Sequence, residues 1–265
     1  MKLVRRGALF AEYSLGDARV ISLSDGYAMM RFSCLIGVDF KKPEFASKAE
    51  EEFPLPVQAF FVEISGHSIL IDTGSSNAWH ETTGRLYEAL AEAGISRKTI
   101  TRVAITHCHV DHINGLVMPD GEVAFPNASR IFVPSNELSL FKAEARLAPV
   151  FGTLQPLQDA DTVVNGVTAM ATHGHEIGHT AYLLTSRNER LLIWGDIVHK
   201  PELQVADPDV VWEFDTDQVA ARQTRKKVFE MAANQQIAVA GAHLDFPGIG
   251  TLQAKGTGYS FQSLI

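Results

Sequence analysis

The sequence predicts a mixed α/β (α+β) fold, in which two β-sheets pack together and helices cover the outside. The predicted strands arrive in groups with helices between them, unlike the regular alternation of a single parallel sheet. The 265 residues are 46% hydrophobic and 20% charged, which is ordinary for a globular protein with a sizeable core. No repeat or Ser/Gly-rich linker divides the chain, so we expect one domain over residues 1–265.

Short apolar runs that stop at turn residues define the predicted strands. They lie at residues 19–24, 59–64, 68–71, 101–106, 130–133, 167–171, 181–185, 191–194 and 237–240. A helix over residues 84–93 follows from apolar side chains spaced by four and three positions, and Gly94 can end it. Two more helices are predicted, one from a capping Ser135 to about residue 146 and one over residues 216–233.

One stretch, residues 28–56, fits neither element type. It contains Pro43, Pro54 and Pro56 and a charged run over residues 48–52. Such a segment is either a flap over a functional site or a plain surface loop, and the sequence leaves both readings open.

Charge and composition exclude several classes of protein. The net charge is −8 and the isoelectric point is near 5.7, so the basic surface that a nucleic-acid-binding protein needs is absent. No apolar run approaches the roughly 18 residues that span a bilayer. The apolar stretch at residues 7–11 is too short for a signal peptide, which predicts a cytoplasmic protein or one whose leader was removed. Two cysteines, Cys34 and Cys108, cannot form a disulfide framework.

The strongest functional signal is residues 107–112, which read His-Cys-His-Val-Asp-His. Histidine and aspartate at the end of an apolar strand must find partners or stay exposed. In an extended segment His107 and His109 share a face. If a helix starts just after them, Asp111 and His112 turn towards a second point nearby. Neutral imidazole and carboxylate suit zinc, and also iron, cobalt or manganese.

Three more candidate ligands follow strand-like runs. His179 lies in the segment 172–180, Asp196 ends the run 191–196, and His243 follows the strand predicted over residues 237–240. One such residue alone would be structural more often than functional. Three of them in a chain that already carries a chelating cluster favour a metal site.

The order His-x-His-x-Asp-His, Gly-His, Gly-Asp and a late His resembles the metallo-β-lactamase superfamily along essentially the whole chain. The resemblance implies an αββα sandwich with two divalent ions, zinc first and iron, cobalt or manganese as alternatives. It implies one ion on His107, His109 and His179 and another on Asp111, His112 and His243. Asp196 would bridge the two ions together with a water or hydroxide, and Asp72 would orient a ligand without binding metal. We expect Asp111, Asp196 and His199 to be the catalytic residues.

Further motifs narrow the resemblance to methyl parathion hydrolase and its lactonase or aryl-esterase relatives. They are Trp-Gly-Asp-Ile-Val-His at 194–199, Asp-Pro-Asp at 207–209 and Ala-His-Leu-Asp-Phe-Pro-Gly at 242–248. The family usually has Gly-His-Thr-Pro-Gly-His-Thr where residues 174–180 read Gly-His-Glu-Ile-Gly-His-Thr. Acyl-homoserine lactonases of the superfamily commonly have Tyr at the position of His199.

These features predict a hydrolase of lactones or aryl esters, and of phosphotriesters (organophosphates) as a main or side activity. A second hypothesis is a non-heme iron oxidoreductase, such as a sulfur dioxygenase, on the same scaffold. Such enzymes usually lose the ligands of the second site, whereas Asp111, His112 and His243 are all present here. A nuclease is disfavoured by the net charge, and an inactive binding protein by the complete ligand set. The expected partner is a small-molecule substrate, with no nucleic acid and no membrane, and a homodimer is left open.

The remaining candidates concern the surroundings of the site. His199 either contacts the substrate or protonates the leaving group, or supports the ligands from behind. His173 and His175 are predicted to be turn residues, because the second Gly-His pair is taken to carry the ligand. His67 and His80 are predicted at the surface, and Cys108 as a packed thiol. An apolar substrate pocket is predicted from five aromatic residues: Phe32, Phe60, Trp79, Phe141 and Phe246.

Overall fold

Two β-sheets lie face to face in the computed structural model, and helices cover their outer faces. The structure describes residues 1–42, 45 and 48–265. Pro43, part of the predicted irregular segment, lies outside the described residues. None of the described helices is long and apolar enough to cross a membrane.

The described residues form the following strands and helices. The strands are β1 Lys2–Arg6, β2 Phe10–Leu15, β3 Ala18–Arg31, β4 Leu35–Ile36, β5 Glu52–Ile64, β6 His67–Ile71, β7 Arg102–Ala104, β8 Arg130–Pro134, β9 Leu154–Leu157, β10 Thr162–Val164, β11 Val167–Ala171, β12 Thr180–Ser186, β13 Glu189–Ile193, β14 Val211–Trp212, β15 Ala238–Ala240, β16 Ile249–Lys255 and β17 Gly258–Ser263. The α-helices are α1 Leu86–Glu92, α2 Val110–Ile113, α3 Leu138–Ala143, α4 Pro201–Gln204 and α5 Gln218–Asn234.

The two sheets mix antiparallel and parallel pairing. The first runs β1-β2-β3-β5-β6-β7-β8-β9, and its last four strands are parallel. The second runs β10-β11-β12-β13-β15-β16-β17, with β13 and β15 parallel. A separate small sheet pairs β4 with β14, joining Leu35 to Trp212 and Ile36 to Val211.

Alternation along the strands builds three apolar layers. In β5, Phe61 faces the layer under α1 and α3, whereas its neighbour Phe60 faces the layer between the two sheets. In β13, Ile193 faces the layer between the sheets and Leu192 faces the layer under α5. Because side chains of successive strand residues point to opposite faces, each sheet buries both of its surfaces. This layering confirms the predicted αββα arrangement.

The structure extends the predicted elements at both ends of the chain. The hairpins β1–β2 and β16–β17 were not predicted from the sequence, because their short runs carry charged and polar residues at edge positions. The predicted helix from Ser135 to about residue 146 is interrupted. Glu144 has extended backbone angles, so α3 ends at Ala143 and a 3-10 segment, Ala145–Thr153, follows.

The predicted irregular segment over residues 28–56 is largely strand at its two ends. β3 and β5 continue as a paired ribbon to Arg31 and Glu52. Pro54 and Pro56 lie within β5, and β4, which follows β3, pairs with β14 through Leu35 and Trp212. The ribbon therefore forms one wall beside the strand ends that carry the functional residues.

Candidate metal centre

The histidine-rich segment follows β7 directly and changes conformation in its middle. His109 has extended backbone angles and precedes α2, which begins at Val110. His107 and His109 therefore project from the extended part, whereas Asp111 and His112 project from the first turn of the helix. The structure divides this segment between two groups of donor atoms, as predicted.

Loops at neighbouring strand ends complete the two groups. His175 lies in the loop between β11 and β12, Asp196 follows β13, and His243 follows β15. The donor atoms of each group lie within 4.8 Å of one another. One group contains His107, His109, His175 and Asp196, and the other contains Asp111, His112 and His243.

Asp196 lies between the two groups. Its Oδ2 is 3.3 Å from His175 Nε2, 3.6 Å from His107 Nε2 and 3.0 Å from His243 Nε2. Its Oδ1 is 3.3 Å from His112 Nε2. One carboxylate thus contacts donors of both groups, which is the position expected of a bridging ligand.

The buried polar atoms of the site test whether the residues fit metal ions. His107 Nε2, His112 Nε2 and Asp196 Oδ1 are buried and, within the described part of the chain, have no hydrogen-bond partner. Leaving such atoms unpaired costs about 1–3 kcal/mol each. Metal–nitrogen and metal–oxygen bonds of ~2.0–2.2 Å in a tetrahedron place neighbouring donors roughly 3.3–3.5 Å apart, close to the separations around Asp196. The donor set therefore fits metal ions better than hydrogen bonding within the protein.

The structure brings His175, and not the predicted ligand His179, into the group of donor atoms with His107, His109 and Asp196. His179 Nδ1 donates to the Thr172 carbonyl at 3.0 Å, and Nε2 accepts from the Asp196 main-chain N–H at 3.0 Å. Both ring nitrogens are therefore used. His179 immediately precedes β12, so its backbone is held by the strand, whereas His175 lies at the loop tip and turns Nε2 towards Asp196.

Hydrogen bonds behind the donor groups fix the orientation of three rings. His112 Nδ1 donates to Asp72 Oδ2 at 2.8 Å, the contact expected of the predicted orienting residue. His175 Nδ1 donates to Asp215 Oδ1 at 2.9 Å, and His109 Nε2 donates to Glu176 Oε1 at 3.0 Å. Each bond occupies one ring nitrogen and leaves the other for a metal.

His243 is held in the same way by the backbone. Its Nδ1 donates to the carbonyl of Pro56 in β5 at 2.6 Å, which leaves Nε2 facing Asp196. The β3–β5 ribbon thus contacts a residue of the candidate metal centre directly through Pro56.

A buried carboxylate connects the two segments that carry His107, His109 and His175. Glu137 Oε2 accepts from the Cys108 main-chain N–H at 2.5 Å, and Oε1 accepts from the Gly178 N–H at 3.0 Å. Burial raises the pKa of Glu137. The side chain has no exposed surface, so its role is to hold these two loops at a fixed separation.

Burial and neighbouring charges set the protonation of the rings. Burial lowers the pKa of His107 well below its usual value, with the nearby His112 adding to the effect. Burial also disfavours a charged His112, but the carboxylates of Asp196 and Asp111 outweigh it and raise the pKa of this ring well above its usual value. The negative charge at the centre of the site therefore attracts positive charge, which a proton or a metal ion can supply.

His199 is buried beside the centre. Its ring stacks on Trp212 with centroids 4.7 Å apart and on His243 with centroids 5.1 Å apart. Burial lowers the pKa of His199 to about 4. The ring is therefore neutral near pH 7, and its Nε2 lies 3.3 Å from Asp196 Oδ2.

A cavity of about 430 Å³ opens above the two donor groups. Its polar lining consists of His80, His109, Asp111, His175, Asp196, His199 and His243. Its apolar lining consists of Met30, Leu55, Trp79, Val110, Trp212 and Phe214.

Of the five predicted pocket residues, only Trp79 borders this cavity. Phe60 belongs to the layer between the sheets and Phe141 to the layer under α1 and α3. Phe32 packs on Phe53 behind the cavity wall, and Phe246 packs against the layer between the sheets and Arg6. These four predictions are wrong because the strand faces and loop packing direct the rings into the core.

The other singled-out residues lie as follows. His67 is half-buried on β6, where its Nδ1 contacts Arg102, and the exposed His80 borders the cavity. His173 is exposed in the loop before His175. Cys108 is half-buried and packs against the layer under α1 and α3, which agrees with a packed thiol.

Sequence reasoning missed the side chains that orient the ligands and most of the cavity wall. His175 had a visible signal, because it is preceded by Gly174 in the same way that His179 is preceded by Gly178. Asp215 and Trp212 had none, because they lie far along the chain and reach the site only through β14 and the turn after it.

Comparison with known proteins identifies the family of this chain. The family model of the metallo-beta-lactamase superfamily matches residues 53–243. The chain belongs to the metallo-β-lactamase superfamily. It is thus an enzyme of a hydrolase superfamily, and the matched range contains all the donors of both groups. A search of curated proteins finds no match.

Several solved structures are similar to this chain along nearly its whole length. AidC, described as a dizinc quorum-quenching lactonase in complex with the product N-hexnoyl-L-homoserine, is 25% identical with a TM-score of 0.84, and 96% of each chain is covered. The hydrolase AbOPH of the beta lactamase superfamily is 27% identical with a TM-score of 0.86, covering 97% of this chain and 98% of that one. A probable metal-dependent hydrolase from Staphylococcus aureus, 19% identical with a TM-score of 0.80 and covering 94% and 98%, shares the fold.

Proposed function

We propose that this protein is a dinuclear-metal hydrolase that opens lactones or cleaves aryl esters carrying apolar substituents. The observation that carries the proposal is the pair of buried donor groups around Asp196 at the base of a cavity with apolar walls. The similarity to AidC, described as a dizinc lactonase, supports the lactone class.

The proposed ligand sets follow the two groups. His107, His109 and His175 would hold one ion, Asp111, His112 and His243 would hold the other, and Asp196 would contribute to both. Zinc is the proposed ion, because imidazole and carboxylate at these separations suit it, and iron, cobalt or manganese accept the same donors.

When bound, two divalent ions would supply a water of lowered pKa and a Lewis acid for a carbonyl or phosphoryl oxygen. The chain itself supplies the fixed geometry. Asp72, Asp215 and Glu176 hold three rings by hydrogen bonds of 2.8–3.0 Å, so these donors need not reorganise during a reaction.

The cavity walls determine which substrates fit. Trp79, Trp212 and Phe214 offer apolar surface beside the donor groups, and the cavity of about 430 Å³ holds a molecule of modest size. Neutral esters and lactones with an apolar acyl or aryl group bury that group against the aromatic walls and exclude water from the reacting bond. Phosphotriesters offer a similar neutral, polarisable centre and are the second substrate class to test.

The iron-oxidoreductase alternative is less well supported. Asp111, His112 and His243 are all buried and mutually close, so the second donor group is complete. Metal analysis together with oxygen consumption in the presence of a thiol separates the two activities.

The decisive experiment is a panel of lactones, aryl esters and phosphotriesters assayed with enzyme of defined metal content. We expect turnover of lactones and aryl esters, lost in Asp196→Asn together with both ions. Trp79→Ala should lower kcat/KM for substrates with apolar groups by roughly 10-fold or more, because buried contact surface is removed. Leu140→Ala is the matched control, since Leu140 is an exposed apolar residue on α3.

Two outcomes would contradict the proposal. One is the absence of turnover on all three substrate classes in enzyme that holds two ions, with hydrolysis of β-lactams or oxygen consumption in its place. The other is a reproducible content of one ion per chain that added metal does not raise.

A further inference from the structure

His199 shares an unusual feature with the proposed ligands. Its ring nitrogens Nδ1 and Nε2 are both buried and, among the described residues, have no hydrogen-bond partner. Within the site, the other buried atoms with this feature belong to His107, His112 and Asp196, which are all proposed ligands. A buried imidazole with neither nitrogen satisfied loses about 1–3 kcal/mol per unpaired group unless something binds it.

The position of Nε2 matches that of a ligand. It lies 3.3 Å from Asp196 Oδ2, the same separation as between His175 Nε2 and that oxygen. Asp196, His199 and His243 form a third group of donor atoms within 4.8 Å of one another. Nε2 of His199 therefore faces Asp196 Oδ2, as Nε2 of His175 and Nε2 of His243 do.

Packing holds the ring in this place. The ring lies nearly parallel to Trp212, at 9°, and at 21° to His243. The main-chain N–H of His199 donates to Gln204 Oε1 at 2.7 Å, and Gln204 is completely buried. A ring held by stacking and by its backbone needs no rearrangement to bind an ion.

We propose that His199 Nε2 is an additional ligand of the ion held by Asp111, His112 and His243. This inference rests on the proposed dinuclear centre. It gives that ion five protein donors, counting Asp196, whereas the other ion has four, His107, His109, His175 and Asp196. The two metal positions then differ in their affinity for the ion and in the number of coordination sites that they leave for substrate.

The burial of Nε2 argues against the other roles expected for His199. Although the residue borders the cavity, its ring nitrogens are not exposed there. Because Nε2 is buried, a substrate atom or leaving group in the cavity does not contact it directly. An ion held by Asp196 Oδ2 would lie close to Nε2, which is 3.3 Å from that oxygen.

The test compares His199→Phe with the wild type by metal retention and spectroscopy. Phenylalanine keeps the stacking on Trp212 and His243 and removes both nitrogens. We expect one of the two ions to be lost at a chelator concentration at least ~10-fold lower than in the wild type. In cobalt-substituted protein, the visible absorption per ion should rise, because Co²⁺ absorbs more strongly as its coordination number falls.

His67→Phe is the matched control, since His67 lies on β6 and contacts Arg102 outside the centre. It should change neither readout. Should His199→Phe fail to fold, as judged by its melting curve, His199→Gln is measured in the same way. Unchanged ion retention and an unchanged cobalt spectrum in a folded His199 variant overturn the inference and leave the hydrolase proposal standing. Wild-type protein that cannot hold two ions overturns the dinuclear proposal itself.

Discussion

The main-chain N–H of Asp196 donates a hydrogen bond to Nε2 of His179 at 3.0 Å. His179 therefore supports the loop of the proposed bridging carboxylate from behind. Because its Nδ1 is bonded to Thr172, the ring has no nitrogen left for a metal. Burial lowers the pKa of His179 to about 3, which keeps Nε2 free of a proton as this acceptor role requires.

The two histidines of the 174–179 loop should consequently respond differently to the same substitution. His175→Gln should reduce the metal content from two ions per chain to one, because His175 Nε2 faces Asp196 among the donors. His179→Gln should retain two ions, since the glutamine oxygen can accept from the Asp196 N–H, with lower thermal stability. Metal analysis after gel filtration in chelator-free buffer measures both. Loss of an ion in His179→Gln but not in His175→Gln would restore the original sequence assignment.

Much of this arrangement is visible in the sequence, and the missing part has a physical cause. The segment 107–112, Asp196 and His243 follow apolar strands, so periodicity and residue type locate them. The choice between His175 and His179 depends on where β12 begins. The structure places that boundary at Thr180, and the sequence pattern does not reveal it. The cavity wall depends on β14, a two-residue strand that no periodicity can reveal.

Asp215 should tune the metal affinity through His175. Its Oδ1 accepts from His175 Nδ1 at 2.9 Å, and its Oδ2 accepts from the Trp212 main-chain N–H at 2.9 Å. In Asp215→Asn one of these N–H groups meets an amide NH₂, so we expect metal affinity to fall by about 10–100-fold. Competition with a chromogenic chelator measures the change.

Asp217→Asn is the control for this experiment. Asp217 caps α5 by accepting from the N–H groups of Val219 and Ala220, and asparagine caps helices equally well. Equal affinity losses in the two variants would show that the effect arises from the loop in general and not from the bond to His175.

Glu137 should act on the metal centre without touching a ligand side chain. Glu137→Gln places an amide NH₂ against the N–H of Cys108 or Gly178, which separates the two loops that this residue joins. We expect the ion of the three-histidine group to dissociate at least ~10-fold more readily, while the other ion is retained. Sequential metal release against chelator concentration measures this difference.

Asp25→Asn is the control for Glu137→Gln. Asp25 is also a buried carboxylate that accepts main-chain N–H bonds, from Ser75, Gly84 and Leu86, and it contacts no proposed ligand. A uniform weakening of both ions would contradict a local role.

Asp25 itself should make the free energy of unfolding depend on pH in mildly acidic solution. Burial raises the pKa of Asp25 from 3.8 to about 6, although hydrogen bonds from Ser75, Gly84 and Leu86 act in the opposite direction. Between these two pH values the unfolded chain releases the proton while the folded protein keeps it. Folding stability from this group is therefore full below about pH 3.8 and is lost as the pH rises through 6.

The measurement is the free energy of unfolding of wild type and Asp25→Asn by denaturant titration from pH 4 to pH 7. The wild-type value minus the variant value should fall by about 2.4 kcal/mol across this range, at 1.36 kcal/mol per pKa unit, because part of the full shift lies below pH 4. Taking the difference removes the titration of the metal-site histidines, which both proteins share, and the constant cost of replacing an acceptor oxygen by an amide group. A difference that stays flat with pH would mean that the hydrogen bonds to Asp25 fully offset its burial. A difference that rises with pH would mean that they keep the carboxylate ionised in the folded protein.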